Sequence, residues 1–239
     1  MANILSSAVQ LYIGGFDLGT SSTKMAVTLA ADALDVTAFR DVAESNLGGV
    51  RTDSTEWAAW FDDGAASIDT VIGTVLGTLG EVLSFGIGTG VGARAYCGTV
   101  FAAKGGIAAE MRGLVRIEGE LRPDKGLDSC KGFGSLLVRA AAEYAGATID
   151  DGALSTGTAV FYGNCVSVSG IGASTGNFIL RHSSDGTTFS NGPNWSGITG
   201  TQGTRIEFTT TLNRYISVSF STADGTTGTY KAFIAYKRG

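Results

Sequence analysis

The sequence predicts a mainly β chain carrying one short amphipathic α-helix. Three observations support that prediction. Apolar residues recur at every second position through most of the chain, as half-buried strands require. A single stretch, residues 65–79, switches to the three-and-four spacing of a helical face. The 239 residues include 36 glycines and only 2 prolines. That surplus lacks the triplet period of collagen and suits the turns and bulges of sheets, because glycine takes positive φ without steric penalty.

Taken in order, Val9, Leu11 and Ile13 alternate on one strand face, and Met25, Val27 and Leu29 on another. Strand character continues from Ala33 to Asp41 and is expected to yield to a loop around Gly48 and Gly49. In the helix, Ile68, Val71, Ile72, Val75, Leu76 and Leu79 form the packing face. Asp62 and Asp63 stand at its expected start, where negative charge favours the helix dipole, and Gly80 stands at its expected end. Trp57, Trp60 and Phe61 are expected to form an apolar lead-in to it. Burial of the six apolar side chains contributes roughly 1.5–3 kcal/mol each, whereas Gly73 and Gly77 cost about 1 kcal/mol each relative to alanine. Burial wins, so the helix needs a partner surface, and the GxxxG spacing reads as close packing on a sheet.

Further strands are expected at Leu83–Ile87 and Tyr96–Ala102. In 114–122, Arg116, Glu118, Glu120 and Arg122 alternate with Val115, Ile117, Gly119 and Leu121, giving one wet and one buried face. From 123 to 152 the pattern weakens: Lys131–Gly134 reads as a loop, and Leu136–Tyr144 as a short helix or strand. The remainder is all β, with strands at 160–168, 177–182, 205–210, 214–220 and 229–237. Asp185-Gly186 and Asp224-Gly225 supply turn chemistry between them. The organisation expected is a first β region, 1–150, containing the helix, and a carboxy-terminal β region, 151–239, forming either a sandwich of its own or part of the same body.

Composition excludes several functions. A net charge of -5 and a pI near 4.9 provide no basic surface for reading nucleic acid. Cys97, Cys130 and Cys165 are odd in number and outside any CxxC spacing, so free thiols are expected rather than a zinc site or disulfide framework. No basic-plus-apolar leader or uninterrupted apolar span is visible, so neither a signal peptide nor a membrane span is expected.

The motifs that tempt toward chemistry are isolated. GFDLGTSSTK (15–24) resembles the first phosphate turn of sugar kinases and actin-like ATPases, which would give roles to Asp17, Gly19, Thr20 and Lys24. The second phosphate turn has only a poor counterpart, Asp150-Asp151-Gly152, and the alternating helices of that fold are missing. HSSDGTTF (182–189) partly resembles the Asp-box of sialidases but reads as a single β turn. GIGTGVGARAY (86–96) lacks the spacing of a phosphate loop. The one histidine, His182, has no nucleophile–acid set around it in the pattern, and Trp57, Trp60 and Trp195 read as packing residues. No catalytic, cofactor-binding or metal-binding residues are expected.

Across nearly the whole chain, the order of features resembles the major tail tube proteins of long, non-contractile-tailed bacteriophages. The resemblance lies in DLGTSSTKMAVTLAADALDVTAFRD (17–41), the Trp-rich stretch and helix (57–79), LVRIEGELR (114–122), and the closing NFILRHSSDGTTF, NRYISVSF and YKAFIAYKRG. The DVAESNLGGV stretch departs from the family pattern. The resemblance implies a tail-tube-type β barrel or sandwich with one flanking helix. It also implies a virion protein, made in the host cytoplasm, that assembles as stacked, hexameric rings into a hollow tube. Its partners would be further copies of itself, the tape measure protein, terminator and tail-tip proteins, and DNA passing without sequence-specific binding; no membrane and no cofactor are implied. Glu118 and Glu120 are expected to face the lumen. Two alternatives stand beside this reading: a decoration or tail-tip module binding carbohydrate through about 150–239, and an ATP-handling enzyme built on Asp17–Lys24.

Overall fold

The computed structural model describes residues 9–19, 22–35, 46–60, 68–75, 80–108, 115–140, 144–145, 147–170, 174–223 and 225–239. In chain order the elements begin with β1 (Val9–Ile13), β2 (Phe16–Asp17), β3 (Ser22–Thr28), β4 (Ala31–Asp35), β5 (Asn46–Arg51) and β6 (Ser54–Trp60). The helix α1 (Ile68–Val75) precedes β7 (Glu81–Ile87), β8 (Ala93–Ala108), β9 (Arg116–Pro123) and β10 (Asp128–Ala140). The short β11 (Tyr144–Ala145) and β12 (Ile149–Asp150) lead to β13 (Ser155–Ser169), β14 (Gly176–Ser183) and β15 (Ser190–Ile198). The chain closes with β16 (Gln202–Leu212), β17 (Tyr215–Thr222) and β18 (Gly228–Lys237). The chain is mainly β, as its alternation predicts.

Two compact units form, and they do not follow chain order: one comprises 1–20, 81–98 and 128–239, the other 21–80 and 99–127. β8 supplies its first residues to the first unit and the rest to the second.

In the first unit the main sheet runs β16-β13-β18-β10-β8-β7-β1-β2, and a second sheet, β15-β14-β17 with β11 and β12, packs on one of its faces. Between them lies a core of Phe161, Ile234 and Tyr236 from one side and Phe178, Trp195 and Phe220 from the other. Rings meet there at a tilt, as with Phe220 and Tyr230 at 4.5 Å and an interplanar angle of 50°. The main sheet also buries its other face. Tyr12 and Val82 cover Tyr162, Phe233 and Ala235, and Tyr12 stacks on Phe233 at 5.2 Å. That double burial is why β13 and β18 read as continuous apolar runs rather than clean alternations.

The sheet curls until β2 meets β13, yet backbone pairing among the described residues never closes it into a barrel. At the seam the Gly15 amide donates to Asn164 Oδ1 at 2.9 Å, and Asn164 Nδ2 donates to Ser84 Oγ at 2.9 Å. Only glycine fits at position 15: its φ is +90°, and a Cβ would lie 2.3 Å from the Gln202 backbone nitrogen.

The second unit is a four-stranded antiparallel sheet, β3-β6-β9-β8, with the separate β4–β5 hairpin between β3 and β6. Helix α1 lies on one face, where Ile72 Cγ2 is 4.0 Å from the position a Gly105 Cβ would take. Val71 and Ile72 are buried, as are Trp57, Ala59, Ile117 and Leu121.

Several expectations need correction. Lys131–Gly134 is not a loop but part of β10, which pairs with β18 and β8 and carries a bulge at Gly132/Gly134, where Gly134 has φ +75°. Glycines placed there for the bulge and for close approach to Phe233 dilute the apolar signal. Gly48 and Gly49 lie in β5, not in a loop. Trp57 and Trp60 belong to β6 and not to a helix lead-in; Trp57 is buried and Trp60 is 47% exposed. Leu136–Ala140 is strand. Phe61, Asp62 and Asp63 lie outside the described residues, as do Ala65–Ser67 at the start of the expected helix and Leu76–Leu79 at its end.

Candidate assembly surface

The wet face of the second unit's sheet is built by strand alternation. On β9, Ile117 and Leu121 point to the helix side, so Arg116, Glu118, Glu120 and Arg122 fall on the other, as the sequence pattern predicts. Register then sets Glu56 opposite Glu120, Ala58 opposite Glu118 and Trp60 opposite Arg116 on β6. Lys104 stands opposite Glu120 on β8, and Lys24 opposite Ala58 on β3. The result is a shallow groove lined by Lys24, Glu56, Lys104, Glu118 and Glu120.

Its charge is close to balanced, with Lys24, Lys104, Arg116 and Arg122 set against Glu56, Glu118 and Glu120. Lys24 pairs with Glu56 at 2.8 Å and holds its carboxyl below the usual range; Arg122 pairs with Glu120 at 2.9 Å. Glu118 is exposed and Glu120 half-buried on this face. Of the expected helix face, Val71 and Ile72 are buried against the sheet side, and Ile68 and Val75 lie within α1. Leu76 and Leu79 lie outside the described residues.

The two edges of this sheet are unpaired among the described residues. Among the described residues β3 pairs with β6 alone, and β8 pairs with β9 from Val100 to Ala108. Edges in the first unit are guarded differently: β2 is two residues long, β15 carries Pro193, and β16 carries the Arg205–Glu207 ion pair at 2.9 Å. These are the usual devices that stop a sheet from recruiting another strand.

At the base of the β4–β5 hairpin sits Asp53, with its side chain fully buried. It accepts from the Ala30 amide at 3.1 Å and the Leu127 amide at 2.7 Å, and it pairs with Arg51.

The motif residues considered for chemistry are occupied structurally. Asp17 accepts from Lys231 at 3.1 Å and from the Gly19 amide at 3.2 Å, and Lys24 is held by Glu56. Thr20 lies outside the described residues. Asp150 takes both arms of Arg214 at 2.6 Å, which holds its carboxyl down at about 2. Asp151 gathers Lys131, Tyr236 at 2.6 Å and Arg238 at 2.5 Å. Asp185 caps its turn, accepting from the Thr187 and Thr188 amides at 2.8 Å, as a single β turn requires. His182 is pushed down by burial. The three cysteines are free and buried, and burial pushes the Cys165 thiol up to about 11, which makes it unreactive.

No family model matches the chain, and no curated protein matches it. Among solved structures, it is similar to a chain of the tail of an empty gene transfer agent particle, at 16% identity and a TM-score of 0.42, over 54% of this chain and 98% of that one. It is similar to the SPP1 tail tube at 14% identity and a TM-score of 0.42, over 53% of this chain and 78% of that one. It is also similar to the SPP1 Dit protein, described as a hub of the adsorption apparatus, at 9% identity and a TM-score of 0.37, over 96% and 99% of the two chains.

Sequence reasoning missed Asn164, Asp53 and Lys104. Asn164 interrupts an apolar run, and an amide in such a run signals a buried polar staple. Asp53 and Lys104 carry no local signal, because their partners are distant in sequence.

Proposed function

We propose that this chain is a structural subunit of a phage-type tail tube, assembling through its own copies into stacked rings of six around a hollow lumen. The observation that carries the reading is the second unit's sheet: four strands of alternating direction, whose outer strands β3 and β8 bound it among the described residues, with one face covered by a helix and one charged face. Because the strand number is even, β3 and β8 run in opposite directions. The outer edge of β8 in one copy therefore meets β3 of the next copy antiparallel, and the ladder continues with the wet face always on the same side. Repetition of that contact closes a ring if the rotation per copy allows it.

In this reading the charged face lines the lumen, with Glu118 and Glu120 among its groups. Its cations stand beside carboxylates, so few counterions are released on meeting phosphate, and DNA passes without sticking. Residues 1–150 supply the tube body and 151–239 are integrated into its wall. The tape measure, terminator and tail-tip proteins are its partners in the virion. The ATP-handling alternative has no observation in its favour, since Lys231 and Glu56 hold the motif's two charged groups.

The test is purification without cofactor followed by negative-stain imaging. Rings or tubes are expected, and a strict monomer at high concentration would sink the proposal. Cryo-microscopy of the assembly then locates Glu118 and Glu120; both on the outer wall would overturn their lumenal placement.

A further inference from the structure

The main sheet of the first unit carries a local excess of positive charge. Where β10 begins and β18 ends, Ser129, Lys131, Asp151, Tyr236, Lys237 and Arg238 line an open cavity of about 360 Å³. All six residues belong to the first unit, and the volume is that of a small-molecule site. Register adds a further cation beside it. Lys131 of β10 stands directly opposite Arg94 of β8 on one side and Tyr236 of β18 on the other. Two like charges thus face each other with Cβ atoms about 5 Å apart, an arrangement that destabilises a sheet. Arg94 is exposed and has no ion-pair partner among the described residues.

The neighbouring carboxylates do not cancel these charges. Asp151, its side chain 5% exposed, has both oxygens engaged, one by Lys131 and the other by Tyr236 and Arg238. Asp128 likewise accepts from Lys237 at 2.7 Å and from the Tyr162 hydroxyl at 2.6 Å. Arg94, Lys131, Lys237 and Arg238 therefore outnumber Asp128 and Asp151, in a chain whose net charge is -5. Each ammonium uses only part of its donor capacity on its carboxylate, and the Lys131 and Lys237 side chains stay 47% and 42% exposed. Arg238 is fixed further by the Ala153 and Asn213 carbonyls at 2.5 Å each. The cations are thus held in place before any ligand arrives, which lowers the ordering cost of binding.

We propose that this cavity binds a small phosphate-bearing ligand, with its phosphoryl or pyrophosphoryl group on Lys131, Lys237 and the Ser129 hydroxyl and with Arg94 adding its charge from the neighbouring strand. The excess of cations over carboxylates matches a dianion, and lysine and arginine donors suit phosphate oxygens. A monocarboxylate would leave the Lys131–Arg94 repulsion only partly relieved. A duplex does not fit, because it needs cations spread along its backbone rather than one cluster at a cavity. The site makes no use of the β3 and β8 edges, and the inference does not rest on the tube-subunit reading.

The test is calorimetric titration of the full-length protein with sodium pyrophosphate, inorganic phosphate and a hexose 6-phosphate, at an ionic strength held constant with chloride, and with acetate as the control. Saturable binding of one ligand per chain is expected from the phosphate probes and none from acetate. The ligand that binds should also raise the melting temperature. Arg94→Gln removes one member of the like-charge pair, so without ligand it is expected to melt at or above the wild-type temperature, yet to bind about tenfold more weakly, as loss of a charge-assisted contact predicts. Lys131→Gln and Lys237→Gln are expected to weaken binding at least as much, with thermal melting to establish that each is folded. No saturable heat from any phosphate probe would overturn the inference. Wild-type affinity in folded Arg94→Gln and Lys131→Gln proteins would overturn it as well, since the anion would then sit elsewhere. Binding is read per chain, so neither result depends on whether rings form.

Discussion

Asn164 is fully buried in a run of apolar residues, and its amide bridges the seam of the curled sheet, donating to Ser84 and accepting from Gly15. Replacing it with leucine of similar size leaves a buried N–H and a buried hydroxyl without partners, each costing about 1–3 kcal/mol. Asn164→Leu is therefore expected to lower the urea midpoint by the equivalent of about 3 kcal/mol. A wild-type midpoint would mean that water reaches the seam. Asp151 makes a pH prediction. Lys131, Tyr236 and Arg238 surround it and its carboxyl is held below the ordinary range, against burial that pushes the other way. A folded-state pKa below the unfolded value contributes stability above the unfolded pKa, near 3.9, and that contribution is lost as pH falls through the folded value. Wild type should lose stability between about pH 5 and pH 2 more steeply than Asp151→Asn, as followed by denaturant titration at stepped pH. Parallel slopes would show that Asp151 is not differently charged in the two states.

At the scale of elements, two glycine substitutions separate close approach from propensity. A Cβ on Gly119 of β9 would lie 2.2 Å from the Lys104 carbonyl oxygen and 2.8 Å from the Trp57 ring, so Gly119→Ala forces backbone apart and should destabilise by about 2 kcal/mol or more. Gly73 in α1 has nothing within 4 Å and ordinary helical φ, so Gly73→Ala should stabilise by up to about 1 kcal/mol. Thermal melts of the two variants moving in opposite directions would confirm both. The same contrast explains what was legible in the sequence. The wet and dry faces of β9, the helix at Val71 and Ile72, and the alternation of β14 follow from periodicity, because burial on one side writes that period into the residues, whereas β13 and β18 show as apolar runs because both their faces are covered. β10 escaped at Lys131–Gly134 because its glycines answer to a bulge and to Phe233, which are tertiary facts. β6 escaped because its buried Trp57 and exposed Trp60 look alike as letters and differ only in which side of the sheet they meet. Of the assembly surface, Glu118 and Glu120 could be named in advance, but their balance by Lys24 and Lys104 depends on register between strands far apart in the chain.

For the whole molecule, the tube reading turns on the outer strands of the second unit's sheet. The first unit ends its sheets with a two-residue strand, a proline and an ion pair, whereas the second ends on β3 and the distal part of β8, each carrying a lysine and a bulge and each, among the described residues, at the margin of the sheet. A sheet edge can pair with a strand of another chain, and in the tube reading the antiparallel order of β3 and β8 makes a second copy that partner. A proline can test this without touching the core. Along a strand, successive amides point to opposite sides, so of Gly105 and Gly106 one donates toward β9 and the other points out of the sheet. Gly105→Pro and Gly106→Pro should therefore differ. One breaks the β8–β9 ladder and melts early. The other removes only an outward donor and keeps a melting temperature near that of wild type, yet fails to form rings when examined by sedimentation and negative stain. If the well-folded member of the pair assembles as wild type does, the outer edge of β8 is not the joint between copies, and the ring must be made elsewhere on the molecule.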